Sequence, residues 1–360
     1  MRLTLERRLV PSQRAVWAGQ TVAVLLAFAM GAAVLRLTGA DPLAAYAVMA
    51  EGALGSLYNL SEVVVKAIPL MLCGLAVAVA ARIQIWNIGG EGQLVLGGIG
   101  AAGVALFLSP HLPSAIVLPL MLAAGFLAGG LWALIPGFLR ARLEVNEILT
   151  TLMLNYVAIF WLEHLYFGPW RDPMGMGFPG TAMFPDVAWL QRLPGTRIHL
   201  GLCFALLAAL LLHWILSRTR WGYEIRVIGE NPRAARYAGM RIDRHILWVM
   251  LVSGGLAGVA GMAEVSGIHY RLQQGLAVGY GYTGIIVGWL GRLHPGGILV
   301  VSLFIAGLLV GGDQLQAVMH LPSSVGLVLE GTLLFFVLGS DFLSRYRLRW
   351  RKEDPWTPRA

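Results

Sequence analysis

Apolar residues along this chain come in runs of about twenty, separated by short polar intervals. That spacing predicts helices that cross a membrane rather than pack around a soluble core. The runs cover Ala15–Leu35, Glu62–Ala81, a Gly/Ala-rich third ending at Leu108, a fourth ending at Leu139, and Ile148–Phe167. Then come Ile198–Leu216, Ile246–Val265, an eighth ending near Arg292, a ninth ending near Gly312, and Val325–Gly339. The eighth and ninth are short and interrupted by glycine. A loop of about 25 residues holding Asp41-Pro42 and Glu51 is expected after the first run, and GDQLQAVMHLPS reads as a loop after the ninth. The stretch 168–197, rich in Pro, Gly, Met and Trp, is a further long loop. The expectation is an all-α integral membrane protein with about ten transmembrane helices. Residues 1–14 and 343–360 are polar ends around a membrane domain of 15–342, and each half shows a faint echo of the other, as duplicated transporters do.

Composition agrees. Only 13% of residues are charged and 57% are hydrophobic, where a soluble protein carries roughly a quarter charged residues; mean hydropathy is +0.70. The net charge of +8 does not mark a nucleic-acid binder, because the arginines lie in short intervals between spanning runs. With ten spans both ends share a side, and 21 of the 27 basic residues fall on that side. The bias puts both termini in the cytoplasm. Cys73 and Cys203 both sit in apolar runs and read as free, buried and inert.

The richest polar interval, 218–244, carries seven arginines and a punctuated short helix. Asn231 suits the N-cap, Pro232 the first helical position, and Gly239 the left-handed stop. Ala234, Ala235 and Ala238 fall on one small face that a partner could approach closely. This is either a docking helix or a membrane-surface loop held inside by its arginines.

Two further stretches carry polar groups at membrane depth. In WNIGGEGQ the glycines disfavour a helix, so the backbone is expected to break beside Trp86, Asn87, Glu91 and Gln93. Its role is gating or substrate contact; otherwise it is a cytoplasmic turn with Glu91 solvated. In NEILTTLMLNYVAIF, Asn146 caps a helix on which Glu147, Thr151 and Asn155 share a face, turned to protein or pore rather than lipid. Interhelical hydrogen bonding without substrate contact is the other reading. Glu264, Asp313, Gln314, Gln316 and Glu330 are weaker candidates, more in the manner of solvated or capping groups. Aromatic side chains such as Trp86 and Tyr156 would suit stacking, or anchor the chain at the lipid interface.

No G-x-x-x-x-G-K-[ST], H-E-x-x-H or G-x-S-x-G occurs, and the eight histidines are scattered. The sequence therefore offers no P-loop, no metal site and no catalytic dyad. It reads as a transport subunit, not an enzyme, whose energy source would dock from the cytoplasm.

Three stretches resemble one family. GENPRAARYAGM is similar to the cytoplasmic coupling motif of bacterial ABC-transporter permeases in the branched-chain amino acid and simple-sugar group. IWNIGGEGQ and EILTTLMLNYVA resemble the nucleoside (or general sugar) uptake permeases, the longer of two related subunits. The resemblance implies an importer half in the bacterial inner membrane with no cofactor of its own. Its partners would be a cytoplasmic ATPase with two fused nucleotide-binding modules, a second related permease forming a heterodimer, and an external substrate-binding lipoprotein. It further implies that Glu230, Asn231, Pro232, Ala234, Ala235, Tyr237 and Gly239 couple to the ATPase. Trp86, Asn87, Glu91, Gln93, Glu147, Thr151 and Asn155 would lie near the substrate pathway. Nucleosides are the expected cargo, with a simple sugar or a branched-chain amino acid as the alternative.

Overall fold

The apolar runs fold as helices. The computed structural model describes residues 2–7, 13–322, 346–351 and scattered positions between 324 and 339. Strand β1 (Arg2–Arg7) precedes α1 (Gln13–Leu37), α2 (Pro42–Leu54), α3 (Leu57–Ala81) and α4 (Gly90–Gly103). Next are α5 (Ser114–Leu143), α6 (Glu147–Phe167), α7 (Gly201–Arg218), α8 (Arg220–Glu230) and α9 (Pro232–Tyr237). The chain continues through α10 (Ile242–Glu264), α11 (Tyr280–Leu290), α12 (Pro295–Met319) and β2 (Tyr346–Arg351). Both α4 and α10 pass directly into a five-residue π turn, Val104–Leu108 and Val265–His269.

Among the described residues seven helices are long and apolar enough to cross a membrane, or eight if one pair bent by 113° counts as a single span. The expected eighth span is only the 11 residues of α11, about 16 Å at 1.5 Å per residue, half a bilayer. Within the expected tenth span the described positions between 325 and 339 are helical, while Glu330 lies outside the described residues. Two expected loops are helical instead. Asp41-Pro42 opens α2, because the Asp41 carboxylate accepts the Leu43 amide at 3.2 Å and proline suits the next position. Residues 312–319 prolong α12 because no proline interrupts them before Pro322. Cys73 is buried, but Cys203 faces outward from α7, since an apolar surface toward lipid needs no covering.

The chain divides into two units, 53–307 and a smaller one formed by 1–52 with 308–360. In the smaller unit Leu35, Ala45, Met49, Leu315, Val325 and Leu329 make an apolar cluster, and the Tyr46 hydroxyl donates to the Phe28 carbonyl at 2.6 Å. Its β1 pairs antiparallel with β2, Arg2 opposite Arg351 and Arg7 opposite Tyr346, which lays those two segments side by side.

In the larger unit α10 is the central helix, packed on α3, α4 and α5. Glycine permits that closeness. A Cβ at Gly261 would collide with the Leu94 carbonyl, and one at Gly258 with the Gly125 carbonyl. Backbones this near gain dispersion contact without side chains, the usual substitute for the hydrophobic effect inside a membrane.

Candidate functional site

Between α3 and α4 the chain leaves helical geometry at Arg82 and resumes it at Gly90. The polar side chains of WNIGGEGQ satisfy that break. Asn87 donates from Nδ2 to Gln93 Oε1 at 2.9 Å and to Ser253 Oγ at 2.8 Å, while Gln93 Nε2 returns a bond to Asn87 Oδ1 at 2.8 Å. Ser253, on α10, donates in turn to the Ala76 carbonyl of α3 at 2.7 Å. Asn155, on α6, accepts the Gly92 amide at 2.8 Å and donates to the Ile88 carbonyl at 2.9 Å and to the Tyr282 hydroxyl at 3.0 Å. The Glu91 carboxylate accepts the amides of Gly279 and Gly281, each at 2.7 Å. A negative group there complements the N-terminal end of α11.

Asn87, Glu91, Gln93, Thr151 and Asn155 are all buried, and the fold brings them to one place. Their bonds join five helices around the break, as buried polar groups must. Thr151 turns back to the Glu147 carbonyl at 2.6 Å, and Glu147 meets Arg140 at 3.4 Å. Trp86 stands apart: 45% exposed, it stacks on Trp289 with ring centroids 5.1 Å apart. Sequence reasoning missed Ser253 and Tyr282. It also missed the two glycines that bind Glu91, although the spacing of glycine in AVGYGYTG was a signal for close backbone approach.

The 218–244 interval folds as the capping residues require. Thr219 Oγ1 accepts the Gly222 amide at 3.2 Å and starts α8. Asn231 Oδ1 accepts the amides of Arg233 and Ala234, both at 3.1 Å, and starts α9. Gly239 takes φ +78°, and the Met240 amide bonds back to the Ala235 carbonyl at 3.0 Å. One expectation changes. Ala235 points into the chain and is fully buried, while Ala234, Ala238 and Tyr237 are exposed, Tyr237 to 95%. A six-residue helix has room for only one inward position, and Ala235 takes it.

This short helix is tied to the break. Gly229, near the end of α8, sits so close to Arg82 that a Cβ would collide with the Arg82 carbonyl. Its own carbonyl accepts Gln84 Nε2 at 2.6 Å. On the other side, Glu224 receives Arg220 Nε at 2.9 Å and lies 2.8 Å from His245 Nε2 at the start of α10. Those hydrogen bonds, His245 first, hold the Glu224 carboxyl below its usual range. A lowered folded value means the contact is complete above the ordinary 4.5 and is lost as pH falls through the lowered value. Glu224→Gln should reproduce the acid form at neutral pH, quickening trypsin cleavage at Arg220 and Arg226 several-fold. Unchanged cleavage would mean that the link does not hold the elbow.

Comparison with known proteins places the fold. The family described as "Branched-chain amino acid transport system / permease component" matches residues 59–338. The glucose ABC transporter permease of Haloferax volcanii is 37% identical over 95% of this chain and 92% of its own length. The guanosine ABC transporter permease of Bacillus subtilis is 33% identical over 89% and 92%. The nucleoside ABC transporter permease of Lactococcus lactis is 30% identical over 88% and 89%. A chain matched over most of its length by that profile and by these relatives belongs to the permease-component family of ABC transport systems, the branched-chain amino acid transport type.

Proposed function

We infer that this chain is the membrane subunit of an ATP-driven importer of nucleosides, worked from the cytoplasm through α8 and α9. The observation that carries the reading is the continuous link from the exposed α9 through Gly229 and Gln84 to the break at Asn87, which joins a docking surface to membrane depth. The similarity to guanosine and nucleoside permeases supplies the cargo. ATP hydrolysis falls to a separate subunit with two fused nucleotide-binding modules, since the sequence has no P-loop. A second, related permease completes a heterodimer and an external lipoprotein delivers solute. Tyr237, with Ala234, Ala238, Glu230, Asn231, Pro232 and Gly239, forms the surface that the ATPase engages. Ten passages, with α11 and the irregular segment before it making one of them, leave both termini cytoplasmic. The adjacency of β1 and β2 supports that count.

Movement of the α8–α9 elbow would be felt at Trp86, Asn87, Glu91 and Gln93 and, through Asn155, along Thr151 and Glu147. These groups hold the gate, and the pathway runs beside them. Identity to a glucose permease favours one other cargo, a simple sugar. Competition separates the two. Uptake of radiolabelled guanosine by cells carrying the complete transporter should be suppressed by excess adenosine or uridine and unaffected by glucose. Suppression by glucose alone would replace the cargo and keep the machine.

A further inference from the structure

The stretch between α10 and α11 is irregular rather than helical, turning at Gln274–Gly275 and bending again at Val278–Gly279, and it descends into the larger unit. Leu276 packs where a Cβ on Gly98 of α4 would fall, at 2.8 Å, and three residues later the Gly279 amide binds Glu91. Gly98 and Glu91 are seven residues apart on one helix, about 10 Å. Three residues can reach that far, at up to about 3.3 Å each. The segment thus runs down along α4.

The depth it reaches follows from α3. Gly284 packs on Cys73 and Gly288 on Val77, so α11 runs parallel to α3 residue for residue. Tyr280 is then level with Pro69, the middle of the 25-residue α3. Half-helix α11 therefore begins level with the middle of α3, a helix long and apolar enough to cross a membrane.

Non-helical backbone at that depth persists only where protein satisfies it or where it lines water. Leu276 closes the turn at Gln274–Gly275, and among the described residues the amides of Gly275, Ala277 and Val278 have no hydrogen-bond acceptor. Nothing lies within 4 Å of a Cβ built on Gly275 or Gly279. Leu272 and Leu276 turn inward, whereas Gln274 and Val278 face outward, Val278 to 56%. Tyr282, three residues past Gly279, accepts from buried Asn155 Nδ2 at 3.0 Å, and Tyr156, half exposed, follows Asn155 on α6.

We propose that the segment from Gln274 to Gly279, with Tyr282 and Tyr156, is a water-lined wall of the solute path and touches the cargo directly. Resting on the nucleoside-importer reading, it adds the surface that cargo meets. The strip from Gln274 to Tyr282 has no ionisable carboxylate or ammonium group, and Glu91 is turned onto the α11 amides. Such a wall offers hydrogen bonds and aromatic faces without charge. It fits an uncharged nucleoside and offers nothing to a nucleotide's phosphates.

The test uses the complete transporter in proteoliposomes, with Cys203→Ser removing the outward thiol and Val278→Cys or Gln274→Cys introduced singly. Phe160→Cys, on the exposed apolar face of α6, serves as the control. A charged, water-soluble methanethiosulfonate reacts with thiolate, which forms only where water reaches. Positions 278 and 274 should be modified at least ten-fold faster than 160, and saturating guanosine should slow that modification several-fold. Modification at 278 no faster than at 160 would overturn the proposal. So would fast modification that neither guanosine nor glucose slows. Protection by glucose but not guanosine keeps the wall and discards the nucleoside, so the two readings fail separately.

Discussion

Replacing Glu91 with alanine is expected to abolish transport and to destabilise the subunit. The carboxylate accepts one buried and one part-buried amide at 2.7 Å each, and removing it leaves both without a protein partner. A buried donor stranded this way costs about 1–3 kcal/mol, so the pair accounts for at most roughly 2–6 kcal/mol, against a total stability of about 5–15 kcal/mol for a typical protein. Glu91→Gln keeps one acceptor oxygen and a similar shape, so it should fall between the two. The thermal midpoint of the purified complex and its uptake rate read both effects. An alanine variant with the parent's midpoint and uptake would show that the start of α11 does not depend on this carboxylate.

The second large effect is expected at Gly229. A valine there would drive its Cβ into the Arg82 carbonyl and push α8 away from the break, carrying the Gln84 bond with it. Because the collision is with backbone, no side chain can swing aside to relieve it. Uptake should fall at least ten-fold while the ATPase stays bound, since the exposed face of α9 is unchanged. Gly239→Ala is the contrasting case. Its φ of +78° costs an alanine about 1–2 kcal/mol, but nothing lies within 4 Å of the new Cβ. Transport should fall far less than with Gly229→Val. Equal losses from the two substitutions would remove the reason to treat the α8–break contact as the mechanical link.

Much of this arrangement was legible in the sequence because its causes are local. Asn231, Pro232 and Gly239 cap and stop a helix through bonds within four residues, so type and spacing sufficed. Helical periodicity likewise put Glu147, Thr151 and Asn155 on one face. The glycines of WNIGGEGQ were expected to break the backbone there, but Gly90 and Gly92 lie inside α4 and the non-helical stretch is 82–89. What stayed hidden depends on tertiary approach. Ser253 looks like any serine in an apolar run until Asn87 arrives opposite it. Tyr282 matters because Asn155 reaches it across more than a hundred residues of chain. Asp41-Pro42 serves equally as a turn and as a helix start, and only the Leu43 amide decides between them. The inward turn of Ala235 depends on which side of α9 meets the rest of the chain, and three alanines on a short helix do not reveal that.

The most direct measurement is guanosine uptake into proteoliposomes holding the complete transporter. It compares ATP with a non-hydrolysable analogue, and the parent chain with Tyr237→Asp. Tyr237 is almost wholly exposed on α9, so aspartate there leaves the fold intact and alters only the surface offered to the ATPase. The account predicts saturable uptake that requires hydrolysable ATP and is reduced at least ten-fold by Tyr237→Asp. Uptake that proceeds with the analogue, or that Tyr237→Asp leaves unchanged, would contradict an importer worked through this helix.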